Sequence, residues 1–413
     1  MEVKPGYKQT EAGIIPEDWH AKRLADIGRF SKGLGIKKDE SLSGTIPCIR
    51  YGEIYTHHNY IIKKFNSFIS SDVAKTSQKL NIGDILFAGS GETKEEIAKA
   101  VAFTQQVEAY AGGDIVILTP KSTNSTYLGY ALNSPSVIRQ KASKGQGDAV
   151  VHITPHSLGE VVLPIPSQSE QSAIAMALSD MDALLESLNS LIAKKRAIKQ
   201  AAIQQLLSKK SSLREHQDRW QIQRLGDLAT MSSGGTPSSG NPEYYGGDIP
   251  WVSISDMTKG GKFISQTDRN LTTLGLKNSA AKIFPQNTVL YSMYASLGEC
   301  SIANVPTSSS QAILGIQTGN NLIPRFLYHY LHYIKPTIIS LGQQGTQSNL
   351  NKSMVQNFLI PTPPLEEQAE ISKIIDDMDN EIETINRLKI KNSDLKQTMA
   401  QALLTGQIRL KNK

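Results

Sequence analysis

Asp84, Glu92 and Lys94 have the residue types of a metal-dependent phosphodiester cutter, in which carboxylates hold Mg²⁺ and a lysine steadies developing charge. The second half of the chain does not repeat the set: Thr288 stands opposite Asp84, and no lysine follows Glu299. A hairpin with a polar loop is therefore expected. Asn241-Pro242-Glu243-Tyr244 has the outline of a loop that holds a flipped adenine for methyl transfer. Glu243 replaces the second proline of such a loop, and no Gly-x-Gly strand-to-helix turn precedes it, so it too is expected to be a turn. Gly89-Ser90-Gly91 and Gly234-Gly235-Thr236 do not lead into the Gly-Lys-Ser/Thr of a phosphate loop. His57-His58 has no further ligand at metal spacing. The chain is expected to own no reactive chemistry. Lys194, Lys195, Arg196, Lys199, Lys209, Lys210 and Arg214 form a basic run. It can face phosphates, or it can be a solvated helix end whose cations suit the dipole.

These groups hang on two long helical stretches. Residues 167–210 begin with Ser167 and Glu170, the spacing of a capping box, just after Pro164 and Pro166. Ile174, Leu178, Met181, Leu185 and Leu188 then follow at alternating four- and three-residue steps. The seam is predicted to continue through Leu191, Ile198, Ala202 and Leu206, interrupted by Lys195. So narrow a stripe needs a second helix to cover it. The chain supplies one at an offset of 197 residues (367 − 170), with the seam Ile371, Ile375, Met378, Ile382 and Ile385, then Leu388, Leu395, Met399 and Leu403. Matched seams predict an antiparallel pair, with Gly406 stopping the second helix.

At 413 residues the chain is long enough for two or more domains. Its 39% hydrophobic content is that of a globular protein. No run is long and apolar enough for a membrane span, and the first ten residues lack a signal-peptide core. Two cysteines far apart, Cys48 and Cys300, suit a reducing compartment, so a cytoplasmic location is expected. A net charge of +6 is compatible with a polyanion partner without requiring one.

The repeat extends beyond the helices. Residues 19–27 (WHAKRLADI) are echoed by 220–228 (WQIQRLGDL), and Ile46-Pro47-Cys48-Ile49 by Ile249-Pro250-Trp251-Val252. Strand-like 83–88 corresponds to 287–292, and 114–118 to 312–316. Helical patterns follow at 127–141 and 326–339, then glycine-containing polar loops at 144–148 and 343–348. Phe326, Tyr330 and Tyr333 recur at helical spacing and are expected to pack. The predicted class is α/β (α+β): two similar globular modules joined by two long antiparallel helices forming a coiled-coil spacer, with a pseudo-two-fold internal repeat. Head loops such as 233–247 have no close equivalent in the lysine-rich 32–45, so the two modules are expected to take different ligands.

The order module–helix–module–helix, with LPIPSQSEQ (163–171) and IPTPPLEEQ (360–368) opening the helices, resembles the specificity subunit of type I restriction–modification enzymes. The likeness covers essentially the whole chain, and the doubled Pro-x-Pro-x-x-x-Glu-Gln element is fairly specific. It implies target recognition domains at 1–166 and 213–363, and at 167–212 and 364–413 helices that set their separation and dock the methyltransferase subunits. It further implies double-stranded DNA, two adenine-N6 methyltransferase subunits and two translocase–endonuclease subunits as partners. S-adenosylmethionine, ATP and Mg²⁺ are then expected on those partners and no cofactor in this chain. A stand-alone repressor or restriction decoy is the alternative.

Under that resemblance the DNA-contact candidates are loops. In the first module they are Lys32, Lys37, Lys38, Arg50, Tyr51, Glu53, Ser90, Glu92, Lys94, Lys144 and Gln146. In the second they are Thr236, Ser238, Ser253, Ser255, Asp256, Tyr294, Ser296, Gln344, Thr346 and Gln347. Lysines would hold phosphates, whereas Arg, Gln, Glu and Asp can pair with base edges.

Overall fold

The computed structural model describes residues 4–147, 149–208, 220–344 and 349–410; of 341–344 it describes the backbone only. Two units make up the chain, Met1–Asn189 with Arg387–Lys413, and Ser190–Asn386. In unit 1, Gly83 takes the left-handed conformation (φ +97) just before a fully buried strand. The sheet there comprises β1 (Gly28–Lys32), β2 (Tyr60–Ile61), β3 (Ile85–Ala88), β4 (Ala100–Ala102) and β5 (Ile115–Pro120), in the order β1-β5-β3-β4-β2. Only the β4–β2 pair is parallel. Side chains alternate across it. Ile85 and Phe87 enter the core with Tyr127 and Leu128, whereas Leu86 and Ala88 enter a second core with Ile49 and Ile54. Ile54 lies on α1 (Tyr51–Thr56). The helix predicted over 127–141 is two helices, α2 (Ser125–Ala131) and α3 (Pro135–Lys144). Pro135 lacks an N–H and disfavours helical conformation in Ser134, so the first helix cannot run through it. Asn133 ties the break to β4, donating to the Ala100 carbonyl (2.7 Å) and accepting from its N–H (3.1 Å). α4 (Gln168–Leu207) follows.

Unit 2 repeats the plan. Strands β6 (Ala229–Ser233), β7 (Phe263–Ile264), β8 (Val289–Ser292), β9 (Cys300–Ala303) and β10 (Ile313–Thr318) lie in the order β6-β10-β8-β9-β7, again parallel only in the last pair. Asn287 (φ +69) takes the place of Gly83 before the central strand, as a short polar side chain tolerates that conformation. Helix α5 (Ile254–Gly260) corresponds to α1. The counterpart of α2 and α3 is one helix, α6 (Pro324–Gln344), with Pro336 inside it. Phe326, Tyr330 and Tyr333 pack ring to ring at 6.4 and 6.1 Å. The second long helix is α7 (Leu365–Leu404), and Gly406 (φ +72) follows it.

Each unit contains one stretch of α4 and one of α7, and in each the two run antiparallel. In unit 1 Glu170 meets Arg409 beyond α7 (2.7 Å) and Asp182 meets Lys396 (2.5 Å). In unit 2 Lys195 meets Glu381 (2.6 Å) and Lys199 meets Asp379. Rising numbers on α4 thus meet falling numbers on α7. The repeat of 197 holds at the level of bonds: Asp182 with Lys396 mirrors Asp379 with Lys199. The predicted seam is right at its ends and wrong in its middle. Ile174, Leu178, Leu188, Ile371, Ile375 and Ile382 are buried, and Met181, Leu185, Met378 and Ile385 half-buried. Leu191, Ile198, Leu388 and Leu395 are exposed; on α4 the stripe passes instead through Ile192, Lys195 and Lys199. A straight helix of 3.6 residues per turn drifts off a strict seven-residue repeat, which explains the slip.

The doubled Glu-Gln element also has a physical meaning. The Trp19 indole donates to Glu170 (3.0 Å), and the Trp220 indole to Glu367 (3.1 Å). Gln171 accepts from the Asn124 N–H (2.9 Å) and donates to the Pro166 carbonyl (2.9 Å). Gln368 does the same with Ile323 (2.8 Å) and Pro363 (2.8 Å). Each pair locks a long helix to its own head. Consequently the capping box at Ser167 is one-sided: Ser167 accepts the Glu170 N–H (3.3 Å), but the Glu170 carboxylate points to Trp19 and Arg409 instead of back to Ser167.

Candidate nucleic-acid interface

Short backbone hydrogen bonds gather the candidate loops of unit 1 at one end of its sheet. Residues 111–115, leading into β5, accept from Gly33 (2.8 Å), Leu34 (3.1 Å) and Gly89 (2.7 Å), and Gly112 donates to Ile49 (2.9 Å). Lys32, Arg50, Tyr51 and Ser90 are therefore brought to one edge. Glycine is needed where strands approach this closely: a Cβ on Gly33 would lie 1.9 Å from the Gly112 carbonyl oxygen. Pairing of Ser90 and Gly91 with His152 and Val151 adds the loop that carries Gln146. Unit 2 is built alike. Residues 309–313 accept from Gly234 (3.0 Å), Gly235 (2.8 Å) and Met293 (2.9 Å), Ser310 donates to Val252 (2.9 Å), and Leu350 donates to Met293 (3.0 Å).

The side chains divide sharply. Lys32, Lys37, Lys38, Tyr51, Glu92, Lys94, Gln146, Thr236, Ser238, Ser255 and Tyr294 are exposed, and Arg50, Lys144, Ser253 and Ser296 half-buried. Lys144 is ion-paired with Glu160. Glu53 and Asp256, both buried, are corrections to the candidate set. Glu53 accepts the Arg50 N–H (3.2 Å) and the Ser67 hydroxyl, closing the start of α1. Asp256 accepts the Ser253 N–H (2.8 Å), the Ser253 hydroxyl (2.5 Å) and the Asp268 N–H (2.8 Å), closing the start of α5. Both are third helical residues whose carboxylates cap backbone donors, so neither can reach a base edge. Ser90 is buried against His152 Nδ1 (2.9 Å) and leaves the set on the same ground. The exposed His152 was not legible in sequence, because its place beside Ser90 depends on a strand pairing across 62 residues (152 − 90). Thr346 and Gln347 lie outside the described residues, as does the side chain of Gln344.

The chemistry weighed against these loops does not assemble. Asp84 is 1% exposed and accepts the Thr119 hydroxyl (2.6 Å) and the Asn81 N–H (2.8 Å); burial pushes its carboxyl up. Asn241 accepts the Glu243 N–H (3.1 Å) in a one-turn 3₁₀ helix, a turn as expected. Burial pushes the Cys48 thiol up to about 12 and the Cys300 thiol well above its usual range, so neither is a ready nucleophile. His58 is buried, and burial lowers its imidazole to about 4. Among the described residues no group of three or more His, Cys, Asp or Glu is placed to hold a metal ion, and no helix is long and apolar enough to cross a membrane. Of the basic run, Lys195 and Lys199 are committed to Glu381 and Asp379, Lys194 and Arg196 are exposed, and Lys209, Lys210 and Arg214 lie outside the described residues.

Fold and site together define a two-headed binding protein: two α/β modules of one topology, each presenting gathered polar loops and each locked to antiparallel helices. The family model for the type I restriction modification DNA specificity domain matches residues 16–195 and 217–392, and the chain belongs to that family. It is 28% identical to the putative type I restriction enzyme MjaX specificity subunit of Methanocaldococcus jannaschii, over 98% of this chain and 97% of the relative. It is 23% identical to the StySPI specificity subunit of Salmonella potsdam, over 97% and 92%. Among solved structures, the S subunit of a type I restriction–modification system from M. genitalium has a TM-score of 0.60 at 17% identity, covering 98% of each chain. The HsdS subunit from Thermoanaerobacter tengcongensis has a TM-score of 0.52 at 18% identity, covering 95% of this chain and 98% of the other. At such identities the structural likeness establishes the fold alone.

Proposed function

We propose that this chain is the non-catalytic, DNA-reading subunit of a type I restriction–modification complex, each unit reading one half of a bipartite site. The observation that carries the reading is duplication with divergence. Strand order, Trp–Glu lock and loop-gathering hydrogen bonds recur in both units. The exposed loop candidates do not: Lys32, Lys37, Lys38, Glu92 and Lys94 are charged in one, whereas Thr236, Ser238, Ser255 and Tyr294 in the other are uncharged. A repeated frame with unlike contact surfaces suits two unlike half-sites. Recognition is assigned to residues 1–166 and 213–363. The stretches 167–212 and 364–413 are assigned to setting the separation of the modules and docking two adenine-N6 methyltransferase subunits, and the assembly recruits two translocase–endonuclease subunits. S-adenosylmethionine, ATP and Mg²⁺ belong to those partners, and the complex works in the cytoplasm.

The test is to make this chain with a type I methyltransferase subunit in cells and map N6-methyladenine by sequencing. The expected result is one bipartite motif with a methylated adenine in each half, that base leaving the stack for reaction. Tight binding of a single contiguous site by the chain alone, with no methylation in the presence of the methyltransferase, would favour a free-standing repressor instead.

A further inference from the structure

The loops assigned to half-site 1 rest on a buried amine. Lys141, near the end of α3, is 1% exposed, and its Nζ donates to the Ala98 carbonyl at 2.6 Å. Burial is the sole influence on its charge, for no carboxylate is paired with it among the described residues. Ala98 holds φ +58, a left-handed conformation disfavoured for alanine, and its N–H is fixed to the Ala88 carbonyl at the end of β3 (3.2 Å). From Ala98 the chain leads back through Lys94 and Glu92, and from Lys141 it leads forward to Gln146. The far ends of these segments are joined where Ser90 and Gly91 pair with His152 and Val151. The bond from Lys141 to Ala98 closes the near side of the same ring.

A cavity of about 360 Å³ adjoins Lys141, lined by Tyr55, Glu95, Glu96 and Lys99 among others. With Tyr60, these are the titratable groups that line it beside Lys141 among the described residues. Lys99 is held by the Tyr55 carbonyl (3.2 Å) and Asn59 Oδ1 (3.0 Å). Glu95 and Glu96 belong to the loop and line the same cavity, but neither is paired with Lys141, so an ammonium there is buried at a cost that a neutral amine bonded to Ala98 does not carry. Burial pushes the Lys141 amine down to about 7, so its charge changes near neutral pH. Unit 2 pins its corresponding loop differently: Glu299 pairs with Lys335 and approaches His332 Nε2 at 3.7 Å, both on α6. His332 and Lys335 hold the Glu299 carboxyl down to about 2, far from neutrality.

We infer that Lys141 is a positioning residue for half-site 1, whose bond to the Ala98 carbonyl fixes the posture in which Glu92, Lys94 and Gln146 meet DNA. The inference rests on the function proposed above. Its test uses the full chain with its methyltransferase subunits and a duplex carrying the mapped motif, compared with duplexes scrambled in one half or the other. Wild-type discrimination at half-site 1 should fall roughly tenfold from about pH 8 to about pH 6, the size of one good base contact, while half-site 2 stays level. Lys141→Gln, a neutral donor, should hold the high value at both pH values. Lys141→Met, with no donor, should sit low at both. If Lys141→Gln keeps the wild-type pH profile, another group sets it and the inference fails; it also fails if both half-sites weaken together. Should Lys141→Met not fold, the Lys141→Gln profile alone decides. A wild-type complex that discriminates neither half would overturn the DNA-reading assignment itself, a distinguishable outcome.

Discussion

Replacing Arg409 by alanine should lower the melting temperature of unit 1 by roughly 10 °C, from a loss of about 3 kcal/mol. Glu170 is 1% exposed and is met by Arg409 Nε (2.7 Å) and Nη2 (2.8 Å), the Trp19 indole and the Leu410 N–H (3.3 Å). Arg409 also forks onto Asp18 through two 2.8 Å bonds and lies 5.4 Å from the Trp19 ring. Removing the guanidinium leaves a buried carboxylate without its cation, the costly way to break such a pair. The pH dependence fixes the sign. Burial pushes the Glu170 carboxyl up, but Arg409 and Trp19 outweigh it, so the group ionises below its ordinary range. Its stabilisation is full above the unfolded value near 4.3 and is lost as pH falls through the lower folded value. The difference between wild type and Arg409→Ala should therefore be largest at neutral pH and shrink below about pH 4, as scanning calorimetry would record. A constant difference across that range would assign the effect to lost packing.

The second large effect belongs to the mirrored ion pairs. Lys396 is 12% exposed on its side chain, 2.5 Å from Asp182 and 4.2 Å from the Tyr60 ring centre, and Asp182 also accepts the Tyr130 hydroxyl at 2.6 Å. Asp182→Lys sets two cations together beneath those rings and should cost unit 1 about 3 kcal/mol or more. Adding Lys396→Asp should recover at least half of the loss, because the reversed pair restores the attraction while the tyrosine contacts stay imperfect. Chemical denaturation of the two single variants and the double variant measures the coupling. Strict additivity would mean that the pair contributes nothing beyond its separate side chains.

Much of this frame was legible from residues. The matched seams and the doubled Pro-x-Pro-x-x-x-Glu-Gln element gave two helices, because burial of an apolar stripe has a period that sequence displays. The same logic misplaced Leu191, Ile198, Leu388 and Leu395, since extending a seven-residue repeat ignores helical drift and the preference of Lys195 and Lys199 for acids on the other helix. The helix over 127–141 failed at Pro135, a local signal outweighed by the pattern around it. Within the site, Glu53 and Asp256 have the chemistry of base readers, but at the spacings Arg50-x-x-Glu53 and Ser253-x-x-Asp256 each closes the start of a helix instead. Lys141 and His152 were beyond reach for another reason. Burial of an amine, or the meeting of residues 62 positions apart, depends on which strands pair, and no local period encodes that.

Independence of the two heads is the claim on which the functional assignment turns, and exchanging one head measures it. Residues 213–363 would be replaced by the corresponding module of a family member with a different second half-site, and N6-methyladenine mapped in cells supplying the same methyltransferase. The expected motif keeps the first half and the spacing and acquires the donor's second half. Change in both halves, or in neither, would contradict it.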